Sequence, residues 1–77
     1  MVRPTSVSNS IRALRFAHGE MTQAELAERI GVTRQTVIAI ERGRYSPSLE
    51  MAFRIARAFD VPLDEVFQYP DSEGEIR

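Results

Sequence analysis

A short interruption between two helical patterns is the feature that most constrains what this chain can fold into. Gly31 ends one apolar pattern, and the β-branched residues Val32 and Thr33 follow it in the segment "GVTRQT". Glycine readily takes the left-handed conformation that ends a helix, and a threonine hydroxyl caps the first N–H groups of the next one. The sequence therefore predicts two short helices joined by a tight turn, with Arg34 and Gln35 at the start of the second.

Signals of the same kind predict five helices in all, and no segment shows a pattern that predicts a strand. The segment "TQAE" is a capping box, in which Thr22 and Glu25 each accept a hydrogen bond from the other's backbone N–H. Ser8 or Asn9 is expected to cap the first helix, and Ser48 to begin the fourth. The predicted spans are about 9–18, 23–30, 34–42, 48–59 and 62–67.

The apolar residues within these helices predict one small core. The chain has 77 residues, of which 43% are hydrophobic, so one domain is expected. We place that domain at 9–69, between an N-terminal arm at 1–8 and an acidic flexible tail at 70–77. Val37 and Ile40 are expected to face inward from the third helix. The inward stripe of the fourth helix is predicted to be Leu49, Ala52, Phe53, Ala56 and Phe59.

Composition argues against several classes of protein. There is no cysteine, hence no disulfide framework and no thiolate metal site. No apolar run approaches the ~20 residues of a membrane span, and the first ten residues lack the apolar core of a signal peptide. His18 has no second histidine or clustered carboxylates around it that would suggest catalysis or metal binding. We therefore expect a cytoplasmic protein that is not an enzyme, has no cofactor and has no small-molecule effector domain.

Charge is distributed unevenly along the chain. The net charge is −1, but residues 1–46 carry seven arginines and four acids, whereas residues 47–77 carry three arginines and seven acids. Every basic residue other than His18 is an arginine, whose forked donors suit phosphates and guanine. Ordinary solvated faces would explain the same asymmetry.

One segment carries a resemblance to a known family. "TQAELAERIGVTRQTVIAIERG" resembles the helix-turn-helix of the phage repressor/Cro-type (xenobiotic-response-element-like) regulators, and the flanking segments extend the likeness over roughly 9–68. The resemblance implies an all-α fold, a compact five-helix repressor-like DNA-binding domain with its helix-turn-helix at helices two and three. It also implies sequence-specific DNA binding, usually as a dimer. The sequence departs from the family in an extra residue in the first loop and in apolar Phe16 and Ile38.

The third helix is predicted to read bases. An α-helix fits the major groove of B-DNA, and side chains at its entering end reach base edges. Those side chains are Thr33, Arg34 and Gln35; arginine grips guanine with two hydrogen bonds, and glutamine does the same to adenine. Ile38 lies one turn after Arg34 and would contact a thymine methyl, or it is an isolated apolar surface residue.

Four further residues are candidate phosphate contacts. By resemblance, the amide of Gln23 at the start of helix two meets a backbone phosphate. Arg42, Arg44 and Tyr45 follow the recognition helix, where such contacts fix position without reading sequence. The alternative for each is a solvated loop side chain.

The resemblance also pairs an arginine of helix one with a glutamate near the end of helix three. The matching residues are Arg15 and Glu41, for which we expect a partly buried ion pair that joins the two helices and does not contact DNA.

A homodimer is predicted through helix five and the residues after it. Val61, Phe67 and Tyr69 would be left partly exposed once Leu63 and Val66 face the core, and a two-fold contact would cover them. The alternative is that the tail folds back over them within one chain.

Together these features predict a DNA-binding transcriptional regulator, most simply a repressor on a palindromic operator. The alternatives are a controller protein of a restriction–modification operon, a DNA-binding antitoxin, and a protein-interaction module without DNA function.

Overall fold

The computed structural model describes residues 5–69, which form five α-helices and one pair of very short strands. The elements in chain order are β1 Ser8–Asn9, α1 Ile11–Ala17, α2 Gln23–Ile30, α3 Arg34–Glu41, α4 Leu49–Phe59, α5 Leu63–Val66 and β2 Phe67–Gln68. The predicted helical fold class is confirmed. Residues 1–4 and the predicted tail at 70–77 lie outside the described residues. Ser8, assigned to the arm from the sequence, pairs with the domain in β1.

The turn between α2 and α3 forms as the local sequence predicted. Thr22 Oγ1 accepts from the Glu25 N–H at 3.0 Å, and Glu25 Oε1 accepts from the Thr22 N–H at 2.8 Å, which completes the capping box. Gly31 ends α2 at φ 79°, the left-handed region that favours glycine. Thr33 Oγ1 then accepts from the Thr36 N–H at 3.2 Å and caps α3.

The core is built from one face of each helix and from a methionine that precedes α2. Its largest fully buried side chains are Phe59, Ile11, Leu26, Ile40, Ile55, Val37 and Val66. Met21 is also buried, immediately before the capping residue, and belongs to the same cluster as Leu26 four positions into the helix. This is the spacing of a hydrophobic staple, which fixes the angle at which the chain enters a helix.

The predicted inward stripe of α4 was partly wrong. Ala52, Ala56 and Phe59 are buried, but Leu49 is 67% exposed and Phe53 49% exposed. Ile55, absent from the predicted stripe, is buried instead. At about 100° per residue the buried positions lie within roughly 60° of Ala52, whereas Phe53 is turned about 100° away from it. The face of α4 that packs on α2 and α5 therefore excludes Phe53.

The prediction of no strand was also wrong. Ser8 pairs with Gln68 and Asn9 with Phe67 in an antiparallel arrangement. Because the strands are two residues long, neither shows the alternation that identifies a strand in sequence. The pairing also shortens both neighbouring helices: α1 begins at Ile11, and α5 occupies only Leu63–Val66.

Candidate nucleic-acid interface

The first turn of α3 presents the predicted base-reading residues to solvent. Thr33, Arg34 and Gln35 are all exposed. The Thr33 hydroxyl is occupied by capping, with Thr36 Oγ1 3.1 Å away. Among residues 5–69, neither Arg34 nor Gln35 has a side-chain hydrogen bond or ion pair. Their donors are therefore available for a ligand.

The remainder of α3 divides into an inner and an outer face. Val37 and Ile40 are buried in the core, as predicted. Ile38 is only partly buried and stands one turn after Arg34. Its aliphatic side chain thus has a solvent-facing part on the side of the helix that carries Arg34.

The end of α3 is held by an ion pair with α1. Arg15 Nε donates to Glu41 Oε2 at 2.6 Å, and Arg15 Nη2 donates to Glu41 Oε1 at 3.3 Å. Arg15 Nη1 also donates to the Met21 carbonyl oxygen at 2.8 Å. The two side chains are only 9% and 10% exposed. Two-point hydrogen bonding of this kind compensates the cost of removing both charges from water.

Gln23 joins the same group of side chains from the start of α2. Its Nε2 donates to Glu41 Oε1 at 3.3 Å, so Glu41 links all three helices of this region. A carboxamide nitrogen carries two hydrogens. One is used on Glu41, and the second is available to an acceptor outside the protein.

Asn9 is a positioning residue that the sequence analysis did not identify. Its Nδ2 donates to the carbonyl oxygens of Ile40 and Glu41, at 3.0 and 3.2 Å. Its Oδ1 accepts from the Ile11 N–H at 3.1 Å. The sequence predicts Ser8 or Asn9 as the cap of the first helix, but the N-cap residue is Ser10, whose side chain makes no capping bond. No local signal marks the contact with α3, because its partners lie 31 and 32 residues further along the chain.

An open cleft between α1, α2 and α3 brings together part of the predicted interface. Gln23, Arg34 and Arg42 line it, along with Arg12 and Phe16 of α1, which the sequence analysis did not select as binding residues. Arg44 and Tyr45 are exposed in the loop after α3 but do not line this cleft. Of the candidate phosphate contacts, Gln23 and Arg42 thus line one cleft, whereas Arg44 and Tyr45 lie outside it.

Several exposed arginines of the described residues have no acidic partner, and three of them are candidate DNA contacts. Within residues 5–69 the carboxylate-paired arginines are Arg15, with Glu41, and Arg54, with Glu50 at 3.2 Å. Arg34, Arg42 and Arg44 have no acidic partner among these residues. A surface of this kind favours an anionic ligand.

The predicted dimer residues differ in exposure. Val61 and Phe67 are partly buried and pack against the core cluster. Tyr69 is 66% exposed. Leu49 and Phe53 of α4 add exposed apolar surface that the sequence had assigned to the core.

The described residues show neither a membrane-spanning helix nor a metal-binding cluster. None of the five helices between residues 5 and 69 has the length and apolar character that a bilayer-spanning segment needs. The same residues contain no cluster of three acidic or histidine side chains that could hold a metal ion.

A capped helix pair with a glycine turn, a buried inner face and free polar side chains at the start of the second helix defines a helix-turn-helix DNA-binding domain. The Helix-turn-helix family model matches residues 11–66. The chain belongs to this family, in its phage repressor/Cro-type branch.

Relatives that are named as transcriptional regulators agree with this assignment. An HTH-type transcriptional regulator of Methanocaldococcus jannaschii is 46% identical over 67 residues, which are 87% of this chain and all of that protein. One from Methanothermobacter thermautotrophicus is 76% identical over 54 residues, 70% of this chain and 78% of that protein. The cryptic phage CTXphi transcriptional repressor RstR of Vibrio cholerae is 39% identical over 69 residues, 90% of this chain but 60% of the repressor.

A solved structure shows the same fold. The restriction–modification controller protein C.AhdI of Aeromonas hydrophila superposes with a TM-score of 0.65 at 36% identity, over 71% of this chain and 78% of the controller. The protein is therefore a DNA-binding transcriptional regulator, and double-stranded DNA is its partner. Regulators of this family are typically not enzymes.

Proposed function

We propose that the protein is a repressor that binds a specific double-stranded DNA site with α3 in the major groove. The observation that carries the proposal is the unpaired, exposed state of Arg34 and Gln35 at the start of α3. Val37 and Ile40 anchor the opposite face of this short helix in the core. Because packing already fixes the backbone of α3, binding has to order only the exposed side chains and not the helix itself.

Each side chain of the interface has a distinct part in this proposal. Arg34 donates two hydrogen bonds to a guanine and Gln35 bonds an adenine, while Thr33 and Ile38 contact neighbouring base edges, Ile38 through a thymine methyl. The phosphate contacts are Gln23, Arg42, Arg44 and Tyr45. They set the register of α3 in the groove without reading sequence.

The proposed repressor acts as a homodimer in the cytoplasm on a palindromic operator. A single recognition helix covers only a few base pairs, which seldom gives useful specificity, whereas two half-sites about one helical turn apart do. Val61, Phe67 and Tyr69 are the proposed contact between subunits. Repression is supported by the likeness to RstR, which is itself a transcriptional repressor.

The second candidate is a controller of a restriction–modification operon. The likeness to C.AhdI favours it. A DNA-binding antitoxin is a further alternative. Controller, antitoxin and repressor share the same DNA chemistry, so a restriction–modification or toxin gene beside the protein's own gene would separate them.

The decisive experiment is selection of bound duplexes from a random pool. The proposal expects enrichment of one palindromic sequence. Transcription in vitro from a promoter that contains this sequence should then fall as protein is added. Failure to enrich any sequence would contradict specific binding. Increased transcription would contradict repression but would leave specific binding intact.

A further inference from the structure

An exposed aromatic residue on α1 contacts two arginines beside the cleft. Phe16 is 52% exposed. The guanidinium carbon of Arg12 lies 5.5 Å from the centre of its ring, and that of Arg15 lies 5.7 Å from it. Both distances are within the range of cation–π attraction.

The two arginines are in different states. Arg15 is buried and held by Glu41. Arg12 is exposed and has no hydrogen bond or ion pair among residues 5–69. The Phe16 ring therefore contacts Arg15, which its ion pair already holds in place, and Arg12, which the ring itself helps to restrain.

Contact with an aromatic ring restrains a guanidinium without occupying its donors. Attraction to the ring acts on the charge, so the N–H groups of Arg12 stay available. A carboxylate partner would have accepted those same hydrogen bonds. The position of Arg12 is thus partly set before any ligand arrives, which lowers the entropy cost of binding.

The surroundings of Arg12 favour an anion. Arg34 and Arg42 line the same cleft without acidic partners, while Arg15 and Glu41 neutralise each other there. Glu20 is the one remaining acid of the lining. Because the cleft also contains the start of α3, an anion bound in it lies beside the proposed base-reading side chains.

We propose that Arg12, supported by Phe16, is a further contact to a DNA phosphate, through which α1 takes part in binding. This rests on the proposed function, since the phosphate belongs to the duplex that α3 reads. The contact adds affinity without reading a base, because a backbone phosphate carries no sequence information.

The test is the salt dependence of binding to the selected duplex, measured by fluorescence anisotropy. Arg12→Gln should lower the slope of log K against log salt by about 0.9, the release expected for one phosphate contact. It should weaken binding to selected and random duplexes by the same factor. Arg57→Gln is the matched control: it removes the same charge from an exposed position on α4 that does not line the cleft.

A double-mutant cycle tests the part played by Phe16. Phe16→Leu keeps an apolar side chain but loses the ring, and it should weaken binding about two- to fivefold. The same change should have no effect in a protein that already carries Arg12→Gln. Thermal melts of each variant establish that the fold is retained.

The outcomes separate this inference from the proposed function. If the wild-type protein selects no duplex, the proposed function itself fails. If it binds but Arg12→Gln behaves like Arg57→Gln, the phosphate contact alone is refuted. If the effects of Phe16→Leu and Arg12→Gln add independently, Phe16 does not act through Arg12.

Discussion

At the scale of single residues, Arg34 is the most direct test of base reading. Arg34→Ala should cost about 1–3 kcal/mol on the selected site and relax the preference at one base pair, because a two-point contact to guanine is lost. Competition binding against duplexes altered at each position would measure this. Arg29→Ala, which removes an exposed arginine from the last turn of α2, is the control. An equal loss on selected and random DNA would make Arg34 a phosphate contact instead.

The ion pair between Arg15 and Glu41 is expected to stabilise the fold. Arg15→Ala should lower the free energy of unfolding by about 3 kcal/mol, since Glu41 is left nearly buried without its cationic partner. Replacing both, as Arg15→Met with Glu41→Leu, should recover much of the loss because no buried charge remains. Urea denaturation of the two variants would test this, and an unchanged midpoint for Arg15→Ala would refute the structural role.

At the scale of elements, Asn9 connects β1 and the start of α1 to the end of α3. Asn9→Asp keeps the oxygen that accepts from Ile11 but removes both donors to the α3 carbonyl groups. The substitution also places a negative charge at the C-terminal end of α3, which is the negative end of that helix's dipole. We expect a loss of stability of about 1–3 kcal/mol, measured by denaturation. The control is Ser8→Ala, which removes only an exposed 3.4 Å bond to the Gln68 carbonyl oxygen; similar losses for both variants would contradict the role given to Asn9.

At the scale of the whole molecule, the structure changes how the proposed homodimer is best tested. Phe67 packs on the core, so a charge there would disturb the fold as well as any subunit contact. Tyr69 is largely exposed, and Tyr69→Asp should yield monomers in sedimentation and weaken binding to a full palindrome far more than to a half-site. Tyr45→Asp, the same exchange at a proposed phosphate contact, should instead weaken binding to both and leave the dimer intact. A wild-type protein that stays monomeric at high micromolar concentration, free and on DNA, would contradict the homodimer.

The sequence by itself determined the helix-turn-helix and the order of the helices. Thr22, Glu25, Gly31 and Thr33 act through partners no more than four residues away, so their caps and turn are readable as local patterns. The inward positions of α3, Val37 and Ile40, followed from the same short spacing. Met21 was not predicted, although an apolar residue before a capping box is a local sign of a hydrophobic staple.

Only the tertiary structure decided the strand pair, the inner face of α4 and the group around Glu41. Ser8 and its strand partner Gln68 are 60 residues apart, and two-residue strands have no pattern of their own. Phe53 has helical spacing like the buried residues of α4, and which side turns inward depends on where α2 and α5 pack. Leu49 lies within the angular range of the buried residues, but it is the first residue of α4 and is exposed. The cleft lined by Arg12 and Phe16 exists because three helices converge, and that convergence depends on contacts between residues distant in the chain.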